Sequence, residues 1–304
     1  MRQRRFIEPC AVNEPKAPIG SLVLGSMMLA VRFNRCAALN NICGAAFALV
    51  ATWCVGQATA QDPTLSGRIV DLTHTFDSDT IFWPTEKGFR LERGPAGVTE
   101  KGYYYSANRL WTPEHGGTHV DAPIHFFADR PTVDQIPLER LIGSGVVVDV
   151  RDKCRADRDY QIAVEDLQAW EAAHGDTLDG KIILLNTGYA THWPDREKYL
   201  GTTETGRGAI AKLHFPGLDP TAARWLARRR KIKAIGLDTA SIDYGQSTMF
   251  GSHVTLCEHR VPILENVASM NALPATGFTV IALPMKIAGG SGGPTRVVAI
   301  APVH

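Results

Sequence analysis

Five short runs rich in β-branched residues most restrict the folds open to this chain: "GVVVDV" (145–150), "KIILLNTG" (181–188), "KAIGLD" (233–238), "TVIALPM" (279–285) and "RVVAIAPV" (296–303). Each is shorter than an ordinary helix and apolar over most of its length, so each reads as a buried strand. Helical stretches lie between them. "VEDLQAWEAAHG" (164–175) carries apolar residues at helical spacing and stops at Gly175, while "DPTAARWLARRRK" (219–231) opens with Asp219 as N-cap and Pro220 in the first turn. Its Arg228-Arg229-Arg230 run falls at a helix end, where it reads as a solvated cluster favoured by the helix dipole rather than a nucleic-acid patch. Strands alternating with helices, without a low-complexity linker or visible repeat, predict a single α/β domain over 61–304.

The first sixty residues have a different character. Arg32 and Arg35 precede an apolar run, "ICGAAFALVATWCV" (42–55), and "QATA" then places Ala58 and Ala60 in the small-x-small pattern of a signal-peptidase site. That run is shorter than the roughly 20 residues a spanning helix needs. The expectation is therefore a leader over 1–60 cleaved after Ala60, a periplasmic or secreted product, and no stable membrane insertion afterwards. Cleavage would leave 26 Lys+Arg against 29 Asp+Glu, a mildly acidic protein without the basic excess that nucleic acid attracts. It would also leave only Cys154 and Cys257, which make one bridge or two core thiols but no disulfide framework.

Chemistry concentrates in "EHGGTHVDAPIHF" (114–126), which holds three histidines and an aspartate among glycines and a proline. Pro113, Gly116, Gly117 and Pro123 exclude a continuous helix and predict a turn running into extended chain. Residues two apart in extended chain face the same side, so His119 and Asp121 point together, and the Gly116-Gly117 turn can bring His115 round to join them. Two imidazoles and a carboxylate are a usual ligand set for Zn²⁺, Mn²⁺ or Fe²⁺, and three protein ligands leave room for water. His125 falls beyond Pro123, which breaks the alternation and favours a proton shuttle over a fourth ligand.

Further ligands should come from elsewhere in the chain. "HVTLCEHRVPILENV" (253–267) is the richest stretch, and by spacing alone Cys257, Glu258, His259 and Glu265 compete as partners for His253. "GGSGGPTR" (289–296) lacks the Gly-Lys-Ser/Thr ending of a phosphate loop and precedes a strand, so it reads as a tight turn bordering the site.

The segment His-x-Gly-Thr-His-x-Asp-x-Pro-x-His at His115–His125 resembles the signature of the cyclase family of metal-dependent hydrolases, which includes bacterial kynurenine formamidase and isatin hydrolase. Likeness extends over most of 69–303, including "DLTHTFDSDTIFWP", "GLDTASIDYG", "ENVASM" and "LPMKIAGGSGGPTR". The resemblance implies mixed β-sheets of the swivelling β/β/α kind with flanking helices, in homodimers or homotetramers. It places metal ligands at His115, His119 and Asp121, and selects His253 and Glu265, twelve residues apart, to complete the set. It implies one or two zinc or manganese ions, makes His125 the general acid/base, and puts aromatics of the N-terminal loop, here Phe82 and Trp83, near the substrate.

Together these readings predict hydrolysis of the C–N bond of an aryl formamide such as N-formylkynurenine, with His125 protonating the departing nitrogen. Opening of isatin or another cyclic amide or lactone is the alternative, and the leader departs from the cytosolic setting of formamidases of tryptophan breakdown. A non-catalytic periplasmic metal-binding protein is the rival from another class; it assigns no task to His125. Tyr103, Tyr104, Tyr105 and Trp111 are further candidates for an aromatic wall.

Overall fold

The computed structural model describes residues 67–303. The leader, its cleavage site and the boundary at residue 60 lie outside the described residues. Twelve strands follow in chain order: β1 (Arg68–Asp71), β2 (Arg90–Val98), β3 (Tyr104–Trp111), β4 (His119–Asp121), β5 (Ile142–Asp149), β6 (Gln161–Ile162), β7 (Ile182–Asn186), β8 (Gly217–Leu218), β9 (Ala234–Leu237), β10 (Ile263–Glu265), β11 (Phe278–Pro284) and β12 (Gly292–Ala301). All five segments read as strands contain one.

Eight strands form one mixed sheet in the order β1-β12-β11-β5-β7-β9-β10-β4. β5, β7, β9 and β10 run parallel, and the remaining neighbours pair antiparallel. The sheet closes on itself because β12 is long enough for one edge to pair with β1 through Val298–Ala301 and with β4 through Gly292–Pro294. The result is a barrel-like ring with helices packed outside.

Period-two alternation divides the core in two. Val147, Ile182, Leu184, Leu264, Val120, Val280 and Val297 fill the ring. Their neighbours Val146, Val148, Ile183, Leu185, Ile235, Leu237 and Ile263 face outward and pack with Leu167, Trp170, Ala222, Ala223 and Leu256 of the helices Val164–His174, Pro220–Trp225 and Gly251–Glu258. Each fully buried Leu or Ile contributes roughly 1.5–3 kcal/mol of transfer free energy, which explains why strands covered on both faces are apolar throughout.

Local signals act as expected at the helix ends. Gly175 closes the first of these helices with φ 58°, and the Asp219 carboxylate accepts hydrogen bonds from the amides of Thr221 and Ala222. The second helix changes at Leu226 into a π-turn that carries Arg228–Arg230, where Arg230 pairs with Glu171 and Arg228 donates to His259. Cys154 and Cys257 are both buried and free. One reading is corrected: the 289–296 segment is a turn only as far as Ser291, because Gly292 onward is strand, drawn into the sheet by pairing with β4.

Candidate active site

The register of β4 against β10 builds the floor of the site. Glu265 lies opposite His119, Leu264 opposite Val120 and Ile263 opposite Asp121. Val120 and Leu264 point into the ring, so alternation sends His119, Asp121 and Glu265 to the outer face. There Nε2 of His119 is 3.1 Å from Oδ1 of Asp121 and 3.6 Å from Oε2 of Glu265.

Two other segments deliver the remaining histidines. His115 enters from the turn, which passes through Gly116 (φ 140°) and Gly117 (φ 56°), and a side chain at Gly116 would run into the Phe82 ring at 2.1 Å. Its Nδ1 is 2.6 Å from Oδ1 of Asp121. His253 sits in the first turn of Gly251–Glu258, with Nε2 3.1 Å from Oε1 of Glu265 and 3.3 Å from Oδ2 of Asp121. Its other nitrogen, Nδ1, lies 2.7 Å from Asp243, whose carboxylate also accepts the backbone N–H groups of Ser252 and His253. Asp243 thus orients the imidazole and satisfies the helix start together. Sequence reasoning missed it, for a lone aspartate in "TASIDYG" carries no local sign of this role.

Among the residues that competed to join His253, Glu265 reaches it. Glu258 is exposed, His259 turns its Nδ1 to the Thr255 carbonyl, and Cys257 is packed in the outer core. His125 ends the 3-10 turn Pro123–His125 and stacks on His115 with centroids 3.7 Å apart. Donor atoms converge in two groups that share Asp121: His119, Asp121 and Glu265, and His115, Asp121 and His125. His125 is therefore placed where it can shuttle a proton or approach an ion bound beside it.

Electrostatics fit a cation. Burial works against charge on His119, yet Asp121 and Glu265 outweigh it and raise the imidazole to about 9. Burial likewise opposes charge on His253, but Asp121, Asp243 and Glu265 push its pKa up. Asp121 is held well below the usual carboxylate range, against the pull of burial, by His119 and His115. Glu265 is raised by burial and by the charge of Asp121. Two buried carboxylates thus demand positive charge between them, and Nε2 of His119 is buried without a hydrogen-bond partner while its Nδ1 is committed to the Gly117 carbonyl at 2.9 Å. A divalent ion answers both requirements. His125 is different: burial, reinforced by the surrounding imidazoles and only partly opposed by Asp121, lowers it to about 3 and keeps it neutral at pH 7.

A cavity of about 430 Å³ opens over this cluster, lined by Phe82, Trp83, Phe126, Phe250, His125 and Glu86 among others. Phe126 stacks on His253 with centroids 4.3 Å apart, and Phe250 meets Trp83 edge-on at 6.4 Å. Phe126 and Phe250 were not singled out from sequence, although Phe126 directly follows the last histidine of the signature. Tyr103, Tyr104, Tyr105 and Trp111 do not line the cavity; they are exposed on or beside the separate β2–β3 ribbon.

A buried pair of carboxylates among imidazoles, beneath a cavity walled by aromatic rings, is a donor set able to hold a metal ion where a small aromatic molecule can reach it, and the comparisons with known proteins make the class that of a metal-dependent hydrolase. A family model described as "Putative cyclase" matches residues 70–244. An isatin hydrolase of Roseibium aggregatum is 30% identical over 209 residues, covering 66% of this chain and 77% of that protein. A kynurenine formamidase of Erythrobacter litoralis is 27% identical over 234 residues, covering 76% and 93%. The solved isatin hydrolase A from Labrenzia aggregata, bound to benzyl benzoate, superposes with a TM-score of 0.70 at 31% identity, covering 78% of this chain and 95% of that one. The chain belongs to the cyclase family and is a hydrolase of the metal-dependent amidohydrolase class. His253 and Glu265 lie beyond the stretch matched by the family model, and the fold brings them to the signature.

Proposed function

We propose that the protein opens the C–N bond of a flat aromatic amide, with a cyclic amide such as isatin ahead of a linear aryl formamide such as N-formylkynurenine. The carrying observation is the cavity: aromatic side chains face the donor cluster, and among its described lining residues none is a lysine or arginine. A free amino-acid carboxylate such as that of N-formylkynurenine would meet no lysine or arginine there, whereas an uncharged ring fits the aromatic wall. The likeness to isatin hydrolases in sequence and fold supports the same order.

In this reading His115, His119, Asp121, His253 and Glu265 hold one or two divalent ions, zinc or manganese, with Asp121 shared between the two donor groups. Such an ion supplies Lewis acidity and water with a pKa near 7. Phe82 and Trp83 take one face of the substrate, with Phe126 and Phe250 completing the wall. His125, the general acid/base implied by the resemblance, takes the proton of the attacking water and returns it to the departing nitrogen. The proposed setting is the periplasm or exterior, and the proposed assembly a homodimer or homotetramer.

The test is turnover of isatin, N-formylkynurenine and simple aryl formamides by purified protein, with metal content measured alongside. The expected result is hydrolysis that is fastest on isatin, stops with chelator and returns with zinc or manganese. Preference for N-formylkynurenine would reverse the order of substrates. Failure on all three by metal-loaded protein would favour a non-catalytic metal-binding role.

A further inference from the structure

His119 and His253 each have an evident partner fixing the ring, a backbone carbonyl and Asp243 respectively. His115 uses neither of these, and its ring nitrogens face Asp121 and Ser291 instead. We infer that Glu114 and Ser291 form a positioning pair that fixes the tautomer of His115 and aims its Nδ1 at the metal centre. This rests on the metal-site reading above.

The hydrogen bonds leave little freedom. Oγ of Ser291 is 2.5 Å from Oε2 of Glu114, and the carboxylate is an acceptor, so the hydroxyl proton goes to Glu114. The same oxygen accepts the Ser291 backbone N–H at 2.9 Å. With its only proton committed, Oγ accepts from Nε2 of His115, 2.9 Å away. Nε2 therefore carries a proton, and Nδ1 faces Oδ1 of Asp121, 2.6 Å distant. In the metal-free protein that contact is a hydrogen bond from His115 that holds the Asp121 carboxyl low, and with a cation bound Nδ1 would give its lone pair to the metal instead.

The backbone around Ser291 is shaped for this contact. Gly292 pairs with Asp121 in the sheet, and the Ser291 carbonyl accepts the amide of Ala122 at 2.8 Å, so the serine is anchored to the ligand strand itself. A Cβ at Gly292 would lie 2.6 Å from Cε1 of His115, so glycine is what lets the strand pass beneath the ring. Gly292 thus serves close approach to an imidazole, not phosphate binding.

Co²⁺ serves as the probe, with wild type, Ser291→Ala, Ser291→Thr, Glu114→Ala and Glu114→Gln compared in the full chain. Affinity by chelator competition, the visible Co²⁺ spectrum and the melting temperature of the metal-free protein are measured together. Ser291→Ala and Glu114→Ala are expected to weaken Co²⁺ about 10- to 100-fold and alter the spectrum, with the metal-free melting temperature nearly unchanged. Ser291→Thr, which keeps the hydroxyl, and Glu114→Gln, which keeps an acceptor oxygen, should recover most of the affinity. In Zn²⁺-loaded wild type, imidazole ¹⁵N shifts should place the His115 proton on Nε2, a readout independent of any variant. A proton on Nδ1, or Ser291→Ala binding Co²⁺ with wild-type affinity and spectrum, overturns the positioning role alone. Wild type that binds no Co²⁺ overturns the metal-site reading and this inference with it.

Discussion

Nε2 of His253 lies 3.1 Å from Oε1 of Glu265, joining the first turn of a helix to the last residue of a buried strand. Glu265 also accepts the backbone N–H of Ile242 at 2.8 Å through the same oxygen, so its carboxylate is held rigidly against the imidazole. Changing Glu265 to Gln keeps the shape and removes one of the two carboxylates of the donor cluster. Metal affinity is expected to fall at least about 100-fold, read as metal retained after dialysis, with Asp121 the one carboxylate left to face the ion. Full metal content in the variant would show that Glu265 is not a ligand.

His125 is held neutral while His119 and His253 are raised, a difference set by burial and by the adjacent imidazoles. Changing His125 to Ala should lower kcat by about 10²- to 10⁴-fold, the usual worth of a positioned acid/base, while metal stays near the wild-type stoichiometry. Loss of metal together with turnover would make His125 a ligand of the second donor group and assign the proton transfer elsewhere.

The two predictions draw on residues of unequal legibility. His119 and Asp121 were readable because a strand puts every second residue on one face, and His115 because paired glycines permit the return turn. The joining of β4 to β10 was not readable: a contact across more than 130 residues leaves no periodic trace, and only the likeness to a family chose Glu265 over Cys257, Glu258 and His259. Closure of the sheet is similar, since nothing local says that one edge of β12 serves both β1 and β4. Ser291 was hidden for another reason. A glycine-serine run looks like a turn whether its small residues provide bending or clearance, and here Gly292 provides clearance beneath His115.

Trp83 is half-buried at the cavity edge, meeting Phe250 on one side and the Ile81–Tyr199 cluster on the other. Changing it to Ala removes an aromatic contact worth about 1 kcal/mol to a flat substrate, so KM for aryl amides should rise roughly five- to tenfold. KM for small aliphatic amides should move much less, and Trp83→Phe should recover most of the loss. Equal changes for both substrate types would point to a packing role.

Outside the cavity, His74 stacks on Trp193 with centroids 4.2 Å apart, and its Nε2 is buried without a hydrogen-bond partner. Burial lowers its pKa from 6.5 to about 4. The folded protein therefore disfavours the imidazolium, whereas the unfolded chain takes up the proton near its ordinary pKa. The stabilisation from keeping His74 neutral is complete above pH 6.5, declines as pH falls, and is gone by about pH 4. Its size is on the order of 2–3 kcal/mol. Urea midpoints from pH 7.5 to 4, measured in chelator so that metal release does not contribute, should show a steeper acid loss for wild type than for His74→Phe, which keeps the stack and cannot take up a proton. Parallel curves would show that His74 is solvated enough to titrate normally in the folded protein.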